Sequence, residues 1–389
     1  MAKYDFNSSR YARFFSSQSN IRFLQTYVDN VALLQTNYGF WKENFVKADT
    51  MTPVSPEGPA AFMVKAKIAD VAPLMDLRDR LGDTNTMDTE GISFYTGTIP
   101  DLAAPGIKET ALERYHKELQ FAEFGNDADI INVWTHKVQT LKDSADSSLS
   151  NMSAQLLSTG KIIWNYGKGN YAPLQKAEIP ASNFKTAGEN VWTASDCNIL
   201  AQMAELEQKY RDESGFGGAM KWQIPYEMFH NVLLKNAEVK LWIKDYRYHA
   251  SLPWEENAVP TEEVFRQAIV NYPGLSPIEI VVEKQRNVSH SGVATVHGWD
   301  SKTAVLRPQG FAGNIMYADL IDVKLGQMYS ASNIIYQAAQ LEGGIYSLVN
   351  TTCDNGRFKE WHTDVLMSAI PALTEFPNHV VVDTTVADA

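Results

Sequence analysis

The stretch NDADIINVWTHKVQTLKDSADSSLSNMSAQLLSTG, Asn126 to Gly160, decides how the rest of the chain is read. Its apolar residues Ile131, Trp134, Val138, Leu141, Ala145, Leu149, Met152 and Leu156 recur in steps of three and four, the period of one helix face. Asn126 or Asp127 is a suitable N-cap and Gly160 a suitable stop, which predicts a helix ending at Ser158. At about 1.5 Å per residue the span of roughly 31 residues is about 46 Å long, against a usual helix of about 11–12 residues. The other faces carry His136, Lys137, Lys142, Asp143, Asp146, Ser147, Ser150 and Asn151. One narrow stripe on so long a helix predicts a girder laid across a sheet, packed through Trp134, Val138, Leu141, Leu149 and Met152. A coiled coil, the competing reading, needs charged flanking positions sustained over several clean heptads.

N-terminal to this helix the pattern changes. From Ala61 to Ala69, Phe62, Val64, Ala66 and Ile68 alternate with Met63, Lys65 and Lys67, which predicts a half-buried strand. A second strand is predicted over Gly91–Ile99, with Ile92, Phe94 and Thr96 on one side. Between them lies a polar tip with Arg78, Asp79, Arg80, Gly82, Asp83 and Asn85, and Pro100, Pro105 and Gly106 close the segment. A lone two-stranded ribbon is marginal in water, so it needs its own domain or a neighbouring subunit for support. Residues 1–58 interleave Tyr, Phe and Trp with Ser, Asn and Arg, and only 20–37 reads as helix. An arm so rich in rings needs a surface to lie on.

C-terminal to the helix, strands are predicted over Lys161–Tyr166 and Tyr171–Ile179. A helix follows from Ser195/Asp196 to Asp212, with Ile199, Met203, Leu206 and Tyr210 on one face and Gly215 beyond it. Trp222–Leu234 reads as helix, and Thr261 caps another over Glu262–Val270. The remainder is β-rich: Ile278–Val282, Ala294–Trp299, Ala304–Arg307, Gly310–Val323 and Val380–Asp383. The sum is an α+β protein with two extended appendages near its start.

Composition excludes several classes. Of the 389 residues, 44% are hydrophobic and 21% charged, neither a disordered tail nor a membrane protein. The net charge of −12, with no Lys/Arg run, argues against a chain that grips nucleic acid. Cys197 and Cys353 form no paired framework, and Met1–Phe6 has no apolar signal region.

The catalytic motifs are thin. Gly215–Lys221 imitates a phosphate loop, but Trp222 stands where a Ser/Thr should bind metal and a helix precedes the glycines. His290 and His297 lack further ligands for a metal. Asp354-Asn355-Gly356 is better read as a type I′ turn than as part of a calcium loop. Glu262 and Glu263 start a helix, where negative charge is stabilising. No catalytic, metal or cofactor-binding residue is assigned.

The order of these elements resembles the major capsid proteins of tailed phages, in particular the lambda capsid protein E group with its Hong-Kong-97-type fold. Three stretches carry the resemblance: Leu112-Glu113-Arg114 through the helix into Gly160-Lys161-Ile162; Met220 to Lys240, with Asn236 to Val239; and Ile278–Val282, Gly298-Trp299-Asp300, Ala304–Pro308, Gly310 and Gly313. Glu360 to Pro371 followed by Val380 to Val382 resembles the closing segment. The resemblance implies an N-terminal arm (1–58), an E-loop (59–105), a P-domain with the spine helix (106–190), an A-domain (191–330) and a return to the P-domain (331–389). It implies pentamers and hexamers of one chain in an icosahedral shell, enclosing double-stranded DNA without gripping it. Portal, scaffolding and decoration proteins are its implied partners, and the virion its place, after synthesis in the host cytoplasm. Arm and ribbon would then bring Phe14, Phe15, Trp41, Phe62, Arg78, Arg80, Phe94 and Tyr95 to subunit contacts. An encapsulin-type compartment of the same fold and an unrecognised soluble enzyme are the alternatives.

Overall fold

The computed structural model describes residues 39–45, 52–53, 61–65, 94–104, 106–113, 115–116, 127–165, 171–249, 260–283, 285–289, 292–318, 320, 336–342, 344–354 and 357–387. In chain order these form α1 (Phe40–Asn44), β1 (Thr52–Pro53), β2 (Ala61–Lys65), β3 (Phe94–Thr98), β4 (Asp101–Ala103), β5 (Ile107–Thr110) and α2 (Asp127–Thr159). Next come β6 (Lys161–Asn165), β7 (Tyr171–Lys176), β8 (Phe184–Thr186), α3 (Ile199–Ser214), β9 (Met220–Pro225), α4 (Tyr226–Asn231), α5 (Ala237–His249) and α6 (Glu262–Ile269). The chain closes with β10 (Ile278–Val281), β11 (Gln285–Ser289), β12 (Gly292–Val296), β13 (Thr303–Pro308), β14 (Gly313–Tyr317), β15 (Tyr336–Glu342), β16 (Ile345–Asp354), β17 (Arg357–Leu373) and β18 (Val380–Asp383).

The chain divides into two compact units, one of residues 1–62, 98–152 and 314–371, the other of 63–97, 153–313 and 372–389. Their bounds follow long-range strand pairing, which places β18 beside β13 although more than seventy residues separate them.

In the first unit the long strand β17 organises the sheet. It pairs along one edge with β16 and along the other with β5 and β4, in the order β1-β14-β17-β16-β15 for the main path. The β16–β17 register sets Asp354 opposite Arg357. Asn355-Gly356, read from sequence as a type I′ turn, lie outside the described residues. Strands β4 and β5 have no local signature, because the Pro100, Pro105 and Gly106 punctuation reads as a loop.

The second unit is a helix-on-sheet layer. Its sheet runs β10-β9-β13-β18-β8, with β10 parallel to β9, β13 antiparallel to both β9 and β18, and β18 parallel to β8. Helices α3, α4, α5 and α6 lay Met203, Tyr210, Phe229, Val239, Ile243 and Phe265 into one core with Trp192 and Trp222. Phe229 and Phe265 meet edge to face at 4.9 Å between ring centres. Hairpins β6–β7 and β11–β12 complete this part, and β2 and β3 form a two-stranded sheet of their own. Of the strands predicted over Ala61–Ala69 and Gly91–Ile99, these five-residue cores are described.

The long helix is present almost as predicted, as α2, ending where Gly160 turns left-handed at φ 69°. A side chain on Gly160 would meet Ile179 at 2.8 Å, so close packing as well as φ calls for glycine there. The single narrow stripe is corrected. Leu141, Leu149 and Met152 are buried as expected, yet so are Lys142, Asp146, Ser150 and Asn151, which the periodicity puts on the outer faces. From 141 onward α2 is enclosed on most sides. Several of its polar side chains bond within the helix: Lys142 Nζ lies 2.9 Å from Asp146, while Ser148, Ser158 and Thr159 donate to carbonyls one turn back. The side chains of Trp134 and Val138 lie outside the described residues.

A second correction concerns Trp222–Leu234. Met220–Pro225 is a strand inside the five-stranded sheet, and only Tyr226–Asn231 is α-helical. Partners at 278–281 and 303–308 capture the backbone, and this tertiary pairing overrides a local pattern that reads as helical. Helix α3 begins at Ile199, later than Ser195/Asp196, and α5 is a helix that the sequence reading does not include. At α6 the expectation matches: the Thr261 side chain accepts from the Val264 amide at 3.4 Å.

Candidate functional site

The second unit is held by carboxylates that belong to no motif. Glu207 on α3 is almost fully buried and accepts from the Trp222 indole at 3.2 Å, from Arg211 at 2.8 and 3.0 Å, and from Ser276. It ties α3 to β9 and to the loop before β10. Glu238 on α5 accepts from the Leu200 and Ala201 amides at 2.8 and 3.1 Å, capping α3 from a neighbouring helix. Apart from Arg211, one turn along α3 from Glu207, the partners lie more than a dozen residues away, so neither role has a sequence signature.

On the sheet, Arg307 is fully buried; it donates to Gln223 at 2.9 Å and to the Gly310 carbonyl at 3.0 Å, and lies 3.6 Å from Glu375. Lys221 pairs with Glu279, which also accepts from Gln223. Burial pushes the Glu279 carboxyl up, but the bonds from Lys221 and Gln223 and the field of Arg307 outweigh it and hold it below the usual range. Burial and Arg307 together lower the Lys221 ammonium. Every charge here has a nearby opposite, so the set is a structural network and offers no reactive group.

A small cavity of about 150 Å³ at the root of the β11–β12 hairpin is lined by Tyr226, Glu227, Glu283, His297 and Trp299. His297 Nε2 lies 3.7 Å from Glu227, and Glu283 accepts from the Gly298 amide at 2.7 Å. Among the described residues no group of three His, Cys, Asp or Glu is placed to hold a metal ion. His290 lies outside them. Gly215 ends α3 in the left-handed conformation at φ 68°, as a helix stop does.

The residues expected at subunit contacts divide. Phe14, Phe15, Arg78 and Arg80 lie outside the described residues, as does the side chain of Phe94. Trp41 is 0% exposed, Phe62 5% and Tyr95 3% within this one chain, so as folded these rings pack inside the subunit. Tyr95 shows why: its hydroxyl bonds with Gln175 and the Leu373 backbone, and its ring meets Phe376 edge to face at 5.3 Å. A large aromatic with satisfied polar atoms is as suited to a core as to an interface.

Two helices of the second unit present part of its exposed surface. On α5, Lys240, Leu241, Lys244 and Tyr248 all face outward, with Leu241 62% and Tyr248 79% exposed. On α3 the outward row includes Glu205, Lys209 and Asp212. Among the described residues no helix is long and apolar enough to cross a membrane.

No protein-family model matches the chain, and no curated protein does. Among solved structures it is similar to a phage-related protein from Bordetella bronchiseptica RB50, at 12% identity and TM-score 0.46 over 92% of this chain and 96% of that one. It is similar to the capsid of a native GTA particle, at 10% identity and TM-score 0.44 over 91% and 92% of the two chains. The mature capsid of bacteriophage PhiM1 is similar at 13% identity and TM-score 0.42, over 90% of each chain. These are likenesses of arrangement at low identity, and none by itself carries a function over to this chain.

Proposed function

We propose that this chain is the major capsid protein of a tailed bacteriophage, assembling with copies of itself as pentamers and hexamers into an icosahedral shell around double-stranded DNA. The observation that carries this reading is the order of elements. A two-stranded ribbon precedes a 33-residue helix, a hairpin and a helix-on-sheet unit follow, and the late strand β17 returns to pair with β5, which lies ahead of that helix in the chain. Ribbon, spine helix, A-domain and return succeed one another in that way in the family the sequence resembles. The net charge of −12 supports a wall that encloses DNA without gripping it. Portal, scaffolding and decoration proteins are the partners such a shell calls for, and the virion is where it acts.

The test is assembly. The full chain, expressed alone and with a scaffolding protein from the same genome, is expected to form closed shells by negative-stain electron microscopy, with DNA packaged in infected cells. Deleting residues 70–90 is expected to leave a folded subunit that does not assemble. A chain that stays monomeric under every one of these conditions would overturn the proposal.

A further inference from the structure

From the two outward helix rows we infer a specific contact between copies of this chain: the α5 face of one subunit seats on the α3 face of the next. This rests on the shell reading and names the surface that reading leaves open. Along α5, Lys240, Leu241, Lys244 and Tyr248 share one exposed face, since positions separated by three, four and seven residues are neighbours on a helix. Leu241 and Tyr248 are among the most exposed large apolar residues in the described part of the chain, and two lysines flank them. Asp245 is the one carboxylate among the exposed positions of that helix after Lys240.

Helix α3 offers the complement. Its exposed row places Glu205 and Asp212 two turns apart, about 10 Å at 1.5 Å per residue, while Lys240 and Lys244 stand one turn, about 6 Å, apart and reach outward on flexible stems. Lys209 lies between the two carboxylates, and the row stays net negative. One face is basic and apolar and the other acidic, on a chain whose overall charge is −12, so each α5 face finds its opposite charge on another copy. The inward sides of the same helices are already committed: Val239 and Ile243 of α5 and Met203 and Tyr210 of α3 fill the core. A contact between two different faces of identical subunits is heterologous, and when its rotation closes it builds a ring. The occupant of the α5 face is therefore a second copy of this chain.

Charge reversal tests the pairing. Lys240→Glu with Lys244→Glu, and separately Glu205→Lys with Asp212→Lys, are each expected to lower shell yield about tenfold or more. Thermal unfolding of the isolated subunits should not change, since every altered residue is exposed. The chain carrying all four substitutions restores opposite charges at every contact and is expected to recover assembly. Reversed variants that assemble as the wild type does would overturn the contact, and a fourfold variant that fails to recover would overturn the pairing. A wild-type chain that forms no shells would instead overturn the shell reading beneath it, so the two failures are distinguishable.

Discussion

The second unit is expected to lose stability in acid through His379, immediately before β18. The ring is fully buried, and its Nε2 lies 2.7 Å from the Leu157 carbonyl, one of the last in α2, where a helix leaves carbonyls without intrahelical partners. Donation there places the proton on Nε2. Nδ1, left as an acceptor, has no hydrogen-bond partner among the described residues. Burial, opposed by the Leu157 bond and reinforced by the Arg307 charge, pushes the pKa down from 6.5 to about 4. The sign comes from linkage: between pH 6.5 and 4 the unfolded chain takes up a proton that the folded chain refuses. The neutral ring's contribution is thus complete above pH 6.5 and is lost as pH falls toward about 4. At about 1.4 kcal/mol per pKa unit, the difference amounts to roughly 3 kcal/mol. His379→Gln keeps an amide donor for Leu157 and removes the titration. Urea unfolding of both proteins between about pH 7.5 and about pH 4.5 should show the wild type losing roughly 2–3 kcal/mol more than the variant. Stability curves that run parallel across that range would refute the reasoning.

Packing sets three further outcomes. Glu207→Ala strands the buried Trp222 indole and Ser276 hydroxyl and is expected to cost about 2–4 kcal/mol in urea unfolding; a midpoint equal to wild type would show that water satisfies them. Lys142→Met leaves the Asp146 carboxylate buried without its partner and should cost about 3–5 kcal/mol, whereas Lys142→Met with Asp146→Leu should recover most of that loss. A double variant as unstable as the single one would count against the ion pair as the cause. Gly313→Ala would press a methyl group onto the Ala372–Leu373 backbone, with Leu373 Cα only 3.0 Å away; a lowered melting temperature is expected, and an unchanged one would mean that this backbone yields.

By itself the sequence determined the elements whose cause is local. The period of three and four from Ile131 to Leu156 and the glycine at 160 fix α2 to within a residue or two, Thr261 fixes the start of α6, and Gly215 the end of α3. It determined the succession of ribbon, long helix and mixed α and β elements, because alternation and punctuation are written along the chain. Only tertiary structure decided the rest. Whether Met220–Pro225 is helix or strand depends on partners more than fifty residues away. The same holds for whether Lys142 and Asp146 face water or a sealed interior. Trp41 and Tyr95 could serve a core or an interface equally well until neighbours buried them. Burial, unlike helical period, is a property of what arrives from elsewhere in the chain. For that reason the proposed contact lies on α5 and α3, whose exposed apolar and charged residues are defined only once the core has taken its share.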